Sequence, residues 1–287
     1  MAVVSSPPRR IFSAARSYVS DLWNRREFAW FLAMGNLKAR NASTTLGLLW
    51  WVLNPLLLGT VYWLVFGVLF DRGTIDVTRN AIEYELPFLA YLLSGIFPFF
   101  FTQSAMTGGV NSIVSNTKLL ANLHFPRLIL PIAALVESSV GFVTSLGVFF
   151  LIVGPINGIW PGARIAWLIP AMLVHLLFNF GLSTIVARIA VPFRDLNNLV
   201  PYFTRLWLYT SPVIYEASFL EGKGEIVETL FKINPLFSIL ELYRHALTGV
   251  DIDLAASLVS AVGWAVALSV LGVAWFVKYE GKMARYL

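Results

Sequence analysis

The stretch LGLLWWVLNPLLLGTVYWLVFGVLF, residues 46–70, runs for 25 positions without a charged side chain. About 20 apolar residues are enough for a helix to cross the hydrocarbon core of a bilayer. The stretch therefore predicts a transmembrane helix. Further segments of similar character follow, and together they predict an all-α integral membrane protein with six transmembrane helices: 46–70, 86–107, 128–153, 165–187, 198–215 and 254–277.

The composition of the 287-residue chain supports a membrane location. Hydrophobic residues make up 57% of the chain, charged residues make up 13%, and the mean hydropathy is +0.72. Soluble domains carry roughly 25% charged residues, so this chain has too little polar surface for a soluble enzyme, a collagen-like fibre or a disordered tail. The sequence contains no cysteine, which excludes disulfides, thiolate metal sites and cysteine nucleophiles.

The charges between the spans indicate how the chain crosses the membrane. With the N-terminus in the cytoplasm, the inner segments carry 14 Lys and Arg against 4 Asp and Glu, and the outer segments carry 6 against 11. Cytoplasmic loops are enriched in Lys and Arg. We therefore expect both termini in the cytoplasm, with a cytoplasmic arm at 1–45, the transmembrane domain at 46–277 and a cytoplasmic tail at 278–287.

Three stretches outside the spans are predicted to be structured. Residues 27–44 place apolar side chains near one helical face, which is typical of a helix in the cytoplasmic interface; a solvated arm is the alternative. Residues 110–122 are short and polar and predict a small cytoplasmic helix. The longest outer segment predicts two short helices that dip into the outer leaflet, 225–233 and 235–248, with an ordinary extracytoplasmic loop as the alternative.

Two charged side chains, Glu137 and Arg205, lie inside predicted spans, where such residues usually face a bundle interior or a cavity. At 1.5 Å per residue, Glu137 lies roughly 14 Å and Arg205 roughly 10 Å from the inner ends of their spans. The similar depths allow an ion pair that orients the helices. Alternatively, Arg205 faces a translocation path and meets an anionic group such as a phosphate. His175 is a second possible partner for Glu137.

Aromatic residues make up 15% of the chain, and many lie inside predicted spans. Tyr and Trp carry a polar atom that needs a partner when the ring is buried, and such rings also form stacking platforms for sugars. Lipid-facing or core packing is the alternative reading for each ring. The candidate residues of an aromatic substrate path are Trp50, Tyr62, Tyr91, Tyr202, Trp207 and Tyr209.

The sequence has no catalytic or metal-binding constellation. Its three histidines, His124, His175 and His245, are 51 and 70 positions apart, which does not fit a metal-ligand spacing. No Gly-x-x-x-x-Gly-Lys-Ser/Thr phosphate loop occurs. If the chain is a pump, its energy therefore has to come from a partner or an ion gradient. The basic N-terminal arm fits anionic lipid headgroups, and we expect no nucleic acid partner.

Short motifs follow one another along the chain: Leu37-Lys38-Ala39-Arg40, Leu46-Gly47-Leu48-Leu49-Trp50, Asn54-Pro55, Asn116-Thr117-Lys118-Leu119-Leu120, His124-Phe125-Pro126-Arg127, Phe193-Arg194-Asp195-Leu196, Ser211-Pro212-Val213-Ile214-Tyr215, Asn234-Pro235-Leu236, Tyr243-Arg244 and Lys278-Tyr279-Glu280. Through these motifs, in this order, the chain from about residue 28 onward resembles the membrane subunits of ABC exporters for polysaccharides. This permease family includes O-antigen, capsule and teichoic-acid exporters. Many relatives have Lys-x-Arg-Tyr leading to Ser-x-Leu-Gly, where this chain has Lys38-Ala39-Arg40-Asn41 and Thr45-Leu46-Gly47.

The resemblance implies a homodimer of six-helix subunits in the bacterial cytoplasmic membrane, surrounded by membrane lipids. Two ATP-binding subunits would dock from the cytoplasm and bind ATP and Mg, so this chain needs no cofactor and is not an enzyme. The family's interface helix would correspond to 27–44 and its outer gate helices to 225–248. Its coupling helix, which fits a cleft in the ATPase, would lie at about 111–122 and include Asn111, Ser115, Asn116 and Lys118.

The function implied by the resemblance is export of a lipid-linked polysaccharide anchored through a polyprenyl diphosphate. Arg40, Arg127 and Arg205 are the candidates for meeting the anionic headgroup. The first alternative is an ABC exporter of drugs or small lipids on the same fold. An integral-membrane enzyme acting on polyprenyl lipids would need acidic metal-binding motifs that this sequence lacks, and the charged mid-span residues argue against a scaffold without transport.

Overall fold

The computed structural model describes residues 17–41, 44–70, 73–79, 82–123, 125–158, 160, 162–215, 224, 229, 231 and 233–283. Residues 17–24 are helical. The elements after them are α1 (Arg26–Asn41), α2 (Trp50–Tyr62), β1 (Thr74–Arg79), β2 (Ile82–Pro87), α3 (Phe88–Val114), α4 (Thr117–Asn122), α5 (Ile129–Asn157), α6 (Leu168–Ala190), α7 (Leu196–Tyr209), α8 (Pro235–Thr248) and α9 (Leu254–Met283). A 3-10 turn at Gly47–Leu49 leads into α2, a π-helical stretch at Trp63–Leu69 extends it, and a 3-10 helix at Gly162–Trp167 leads into α6.

Five helical stretches in the described part of the chain are long and apolar enough to cross a membrane. They coincide with the predicted spans one, two, three, four and six, and the last of them continues helically into the predicted tail. These stretches are Val52–Leu69, Phe88–Val114, Ile129–Pro155, Gly162–Ala190 and Leu254–Gly281.

The predicted fifth span, 198–215, corresponds to α7 and the irregular turn that follows it. The 14 residues of α7 extend about 21 Å at 1.5 Å per residue, which is less than the roughly 30 Å of a hydrocarbon core. The helix ends at Tyr209 because Pro212 follows closely, and a proline disfavours helical backbone in the residue before it. The helical part of this span is therefore shorter than the hydrocarbon core, and the turn that follows α7 makes up the rest of the predicted span.

A β-hairpin occupies most of the segment before α3, where the all-α prediction is wrong. Strands β1 and β2 pair antiparallel, with Ile75 opposite Leu86 and Asp76 opposite Glu85. Ile75 and Leu86 are buried, whereas Asp76 and Glu85 are exposed. This alternation of period two is the pattern of a strand with one buried face, so the hairpin covers the end of the helical core. We call this the hairpin end of the bundle, and the opposite end the α4 end.

Irregular backbone between α7 and α8 is held by side chains. Asn234 is the N-cap of α8, accepting from the Leu236 N–H, and its amide nitrogen donates to the Thr210 carbonyl at 2.9 Å. The buried Arg244 guanidinium donates to the carbonyls of Pro212 and Val213 and lies 3.7 Å from the centroid of the Tyr91 ring. The Tyr91 hydroxyl donates to the Tyr215 carbonyl at 2.9 Å.

The segment at 216–253 also contains one of the two predicted short helices. Helix α8 begins at Pro235 and ends at Thr248, as the Asn234-Pro235 break predicts. Residues 216–223, 225–228, 230 and 232 lie outside the described residues, and with them most of the predicted helix at 225–233.

Helices α6 and α9 pack closely through glycine. A Cβ atom on Gly181 would overlap the backbone of Leu268 and Ser269, and one on Gly272 would lie 2.8 Å from the Gly181 carbonyl oxygen. Small residues at such positions let transmembrane helices approach closely, where dispersion contacts replace the missing hydrophobic driving force.

We predict that Gly181→Ala lowers the free energy of unfolding by about 2 kcal/mol, because the added methyl group forces α6 and α9 apart. Denaturant titration in detergent micelles measures the change. Gly147→Ala is the matched control, since a Cβ there has no neighbour within 4 Å. Equal effects of the two substitutions would contradict this account of the α6–α9 contact.

We predict that Arg244→Lys destabilises the protein by about 1–3 kcal/mol, because an ammonium group cannot satisfy both carbonyls and an unsatisfied buried acceptor has a cost of this size. The same titration measures it. Arg194→Lys, at an exposed position between α6 and α7, is the control. A stability loss no greater for Arg244→Lys than for Arg194→Lys would show that this guanidinium does not stabilise the turn.

Candidate functional site

Two adjoining cavities lie along the face formed by α1, α2, α3 and α5. The aromatic cavity has a volume of about 560 Å³, and the polar cavity has a volume of about 550 Å³. Gln103, Ser104 and Ser138 line both cavities. Together they form a groove that follows α3, with the aromatic cavity towards the hairpin end and the polar cavity towards the α4 end.

The aromatic cavity is built from helical faces with a spacing of three to four residues. Helix α2 contributes Trp50, Asn54 and Leu58 at successive turns, which places them on one face. Phe101 on α3 and Phe142 on α5 stack with a centroid distance of 4.7 Å and an interplanar angle of 4°. The side chains from the three helices make a wall that is largely aromatic and carries a few amide and hydroxyl groups.

The polar cavity is lined by α1, α3, α5 and the turn after α3. Glu137 and Ser138 come from α5, and Asn36 comes from α1. Helix α1 packs against α5 through small and apolar residues at every fourth position, which brings Asn36 to the cavity: Ala29, Ala33 and Leu37 are buried. The remaining polar groups are mainly hydroxyls and amides of α3 and the turn after it: Gln103, Ser104, Thr107, Asn111, Ser112, Ser115 and Asn116.

The aromatic path residues predicted from sequence lie in three different environments. Trp50 lines the aromatic cavity and is 39% exposed. Tyr91 is 3% exposed, and both its ring and its hydroxyl are engaged by Arg244 and Tyr215. It therefore packs in the core and does not line either cavity.

The other four predicted aromatics lie on or beside α7. Tyr202 is 67% exposed and Tyr209 is 55% exposed. The half-buried Trp207 donates from its indole N–H to the Asn234 side-chain oxygen at 2.9 Å. Tyr62 is half-buried and interacts with Tyr209 and with the charge of Arg205. These residues form a second aromatic surface that does not line the groove.

The predicted charge sites lie on different elements of the fold. Glu137 lines the polar cavity, while Arg205 is exposed on α7. Arg40 belongs to α1, and its side chain lies outside the described part. The sequence allowed His175 as a partner for Glu137, but the structure gives it other partners. Its Nε2 lies 2.7 Å from the Thr102 hydroxyl, and its Nδ1 lies 3.2 Å from the Tyr243 hydroxyl.

Arg127 holds the α4 end together. Its main-chain N–H donates to the Glu280 carboxylate at 2.6 Å, and its guanidinium donates to the Glu280 carbonyl at 2.7 Å. The Tyr18 hydroxyl donates to the same carboxylate at 2.7 Å. Burial raises the pKa of Tyr18 above its ordinary value, and the hydrogen bond to Glu280 raises that pKa further, so Tyr18 remains a donor.

The predicted coupling segment is divided between two helices. Asn111 belongs to α3, Ser115 and Asn116 form the turn after it, and Lys118 is exposed on the six-residue helix α4. Only this turn separates α3 from α4. Asn111, Ser115 and Asn116 therefore line the polar cavity, while α4 itself presents Lys118 to the outside.

A family model for ABC-2 type transporters matches residues 28–248 of the chain. This span covers more than half of the sequence and contains both cavities. The chain belongs to the ABC-2 type transporter family. The resemblance to ABC exporter membrane subunits is therefore confirmed, and an ABC-2 type transporter with several membrane-length helices is a multi-pass membrane protein.

Curated relatives of this ABC-2 type transporter carry the name O-antigen export system permease protein RfbA. The protein from Myxococcus xanthus is 30% identical over 249 residues, which cover 85% of this chain and 91% of the relative. Two proteins from Klebsiella pneumoniae are each 26% identical over 255 and 257 residues, covering 88% of this chain and 92% of each relative.

Several polar residues of the groove, among them Asn54, Gln103 and Ser104, were not predicted as site residues from the sequence of this transporter. Asn54 lies in a span without charges, and Gln103-Ser104 directly follows a run of phenylalanines and a threonine. These residues could have been recognised as polar side chains in the middle of a predicted span, which is how Glu137 was identified. Amides and hydroxyls are also common packing residues in membrane helices, so this signal alone does not distinguish a groove from a helix contact.

We predict that Glu280→Ala increases amide hydrogen exchange in residues 17–24 and 125–128, because it removes the acceptor of the Tyr18 hydroxyl and of the Arg127 main-chain N–H. Exchange monitored by mass spectrometry measures the effect. Glu27→Ala, at an exposed position in the first turn of α1, is the control. Unchanged exchange in both segments of the Glu280 variant would refute this role of the carboxylate.

Proposed function

We propose that this chain is the membrane permease subunit of an ATP-driven ABC exporter that moves a lipid-linked polysaccharide, anchored through a polyprenyl diphosphate, out of the cytoplasm. The observation that carries the proposal is the groove along α3. One of its two adjoining cavities has a wall suited to stacking on sugar rings, and the other carries groups suited to bonding with sugar hydroxyls. The relatives named as O-antigen export permeases support the same class of cargo.

The proposed assembly is a homodimer of six-span subunits with two copies of an ATP-binding subunit at the α4 end. The α4 end faces the cytoplasm of a bacterium, and both termini lie there, in agreement with the positive charge of the inner segments. Exposed apolar side chains on two helices support a contact with a second copy. On α2 and its π-helical extension these are Leu57, Val61, Leu64 and Val68, and on α7 they are Tyr202, Phe203, Leu206 and Tyr209.

The proposed mechanism couples ATP binding in the partner to the groove through α3. The partner, which holds the ATP and Mg, contacts α4 and Lys118. Only Ser115 and Asn116 separate α4 from α3, so a displacement of α4 moves α3. Because α3 lines both cavities, this motion changes the shape of the groove without any chemistry in this chain.

The lipid headgroup and the sugar units of the cargo bind at different places. The diphosphate headgroup meets cationic side chains, for which Arg40, Arg127 and Arg205 are the candidates. The sugar units enter the groove and stack on Trp50 and neighbouring rings, in contacts weak enough to exchange as the polymer moves. An aromatic contact contributes about 0.5–1.5 kcal/mol, which is compatible with such exchange.

An exporter of drugs or small lipids is the second candidate function. The volume of the aromatic cavity, about 560 Å³, is in the range of pockets that bind drug-sized molecules, about 300–1,000 Å³. An amphipathic compound could occupy this cavity alone, without contact to the polar cavity.

Depletion of this protein in its native cell separates the two functions. We expect a long polyprenyl-linked glycan to accumulate inside the cell, because its synthesis continues while its export stops. Mass spectrometry of extracted lipid-linked glycans measures the accumulation. If no glycan accumulates and the depleted cells become sensitive to an amphipathic toxin, the drug-exporter function replaces the proposed one.

We predict that Trp50→Leu slows glycan export about fivefold while the protein remains folded, because one stacked ring contributes about 1 kcal/mol. Export is measured by complementation of the depleted cells, and folding is measured by gel filtration in detergent. Trp30→Leu is the matched control, since Trp30 is exposed on α1 and lines neither cavity. Full export by the Trp50 variant would contradict a stacking role for this ring.

A further inference from the structure

The polar cavity has one charged side chain among the described residues that line it. This residue is Glu137, which lies on α5 next to Ser138, and Ser138 is shared with the aromatic cavity. Glu137 has an interaction within the protein. A carboxylate has about four acceptor sites, so it can accept further hydrogen bonds from a ligand in the cavity.

Two serine hydroxyls of the cavity use their hydrogens on their own helices. The Ser112 hydroxyl donates to the Gly109 carbonyl at 2.6 Å, and the Ser138 hydroxyl donates to the Ala134 carbonyl at 3.0 Å. A hydroxyl has a single hydrogen and two acceptor lone pairs. These two groups therefore act toward a ligand as acceptors.

The amide side chains are also partly engaged as donors. Asn111 donates to the Thr107 carbonyl at 3.1 Å, and Asn116 donates to the Ser112 carbonyl at 2.8 Å. Gln103 donates across to the Thr204 hydroxyl of α7 at 3.1 Å. Each of these three amides thus uses one of its two N–H hydrogens inside the protein, while its oxygen can accept up to two hydrogen bonds.

Each hydroxyl that lines the polar cavity has two acceptor sites for one hydrogen, and the carboxylate of Glu137 has acceptor sites only. Acceptor sites consequently outnumber donors in the polar cavity, and a ligand that supplies hydrogens satisfies more of them. Sugar hydroxyl and amino groups do so. Phosphate, sulfate and carboxylate groups are acceptors when ionised, and they also meet the charge of Glu137. From this arrangement we propose that the polar cavity binds saccharide units that carry hydroxyl or amino groups and no acidic group, with Glu137 as the specificity-determining residue.

This inference rests on the proposed function and adds the substrate class to it. The two cavities share Gln103, Ser104 and Ser138, so one sugar unit can stack near Trp50 while the next bonds with the groups around Glu137. The diphosphate of the lipid anchor is excluded from the polar cavity by the same argument. The headgroup and the sugars therefore occupy separate sites.

Binding of three tetrasaccharides to the full exporter tests the specificity. The complex of this chain with its ATPase is reconstituted in nanodiscs of phosphatidylcholine and phosphatidylglycerol, which contain no lipid primary amine. Isothermal titration calorimetry then compares tetraglucosamine, tetra-N-acetylglucosamine and tetragalacturonate. We expect the wild type to bind tetraglucosamine at least tenfold more tightly than tetragalacturonate, with the neutral tetramer between them.

Two variants of Glu137 test whether this residue determines the order of the three affinities. Glu137→Gln should bring the affinities for tetraglucosamine and tetragalacturonate to within threefold of each other, and Glu137→Lys should reverse their order. Glu83→Gln, which removes an exposed carboxylate from the hairpin, should leave the wild-type ratio unchanged. The three variants are compared at matched yield and gel-filtration profile.

Two results would overturn the inference: equal binding of the acidic and amino tetramers by the wild type, or a wild-type ratio retained in Glu137→Gln. Absence of binding by all three probes would also overturn it. None of these results bears on export itself, which the depletion experiment tests separately through glycan accumulation. If glycan accumulates on depletion but the binding test fails, the proposed sugar specificity of the polar cavity is rejected while the export function stands.

Discussion

A backbone carbonyl or amide that leaves a helix and is buried away from water needs a hydrogen-bond partner within the protein. In this chain the turn between α7 and α8 imposes that requirement most directly. Arg244, Asn234 and Tyr91 supply the donors that its carbonyls accept from. The position of α8 against α3 follows from these bonds, since Arg244 comes from α8 and Tyr91 from α3. Gly95 on α3 makes room for the arrangement: a Cβ there would lie 3.1 Å from the Arg244 guanidinium and 3.3 Å from the Val213 carbonyl oxygen.

Helix α3 connects this turn to the groove and to the α4 end. Its hairpin-end half is buried and includes Tyr91 and Gly95, while its other half lines the polar cavity and ends one turn before α4. A rigid helix anchored at one end and attached to a small exposed helix at the other can carry a displacement along its length. The bonds from Arg127 and Tyr18 to Glu280 add a second connection, because they link the segment after α4 to the end of α9.

The sequence was sufficient to predict those parts of the fold that depend on hydropathy alone. Long apolar stretches produce the membrane-length helices, and the Asn234-Pro235 break begins α8 as expected. The hairpin was missed because its six-residue strands are short. The alternation of Ile75 and Val77 with the polar residues Thr74, Asp76 and Thr78 was interpreted as an outer loop. The extent of α7 was overestimated, because apolar composition continues through residues 210–215 although the backbone leaves the helix there.

The site was harder to predict, because its character depends on which atoms remain available after the helices have packed. Trp50 and Tyr91 are similar in sequence context, yet one lines a cavity and the other is buried beneath Arg244. Serine, threonine and asparagine in a membrane helix tend to bond the carbonyl three or four residues earlier, as Ser138 and Asn111 do. A groove formed from such helices therefore presents more acceptors than donors. Positive charge for an anionic group has to come from Arg and Lys at the helix ends, where water lowers the cost of the charge. The groove is therefore rich in acceptors and the helix ends are cationic, because a charge is costly in the bilayer interior and less costly near water.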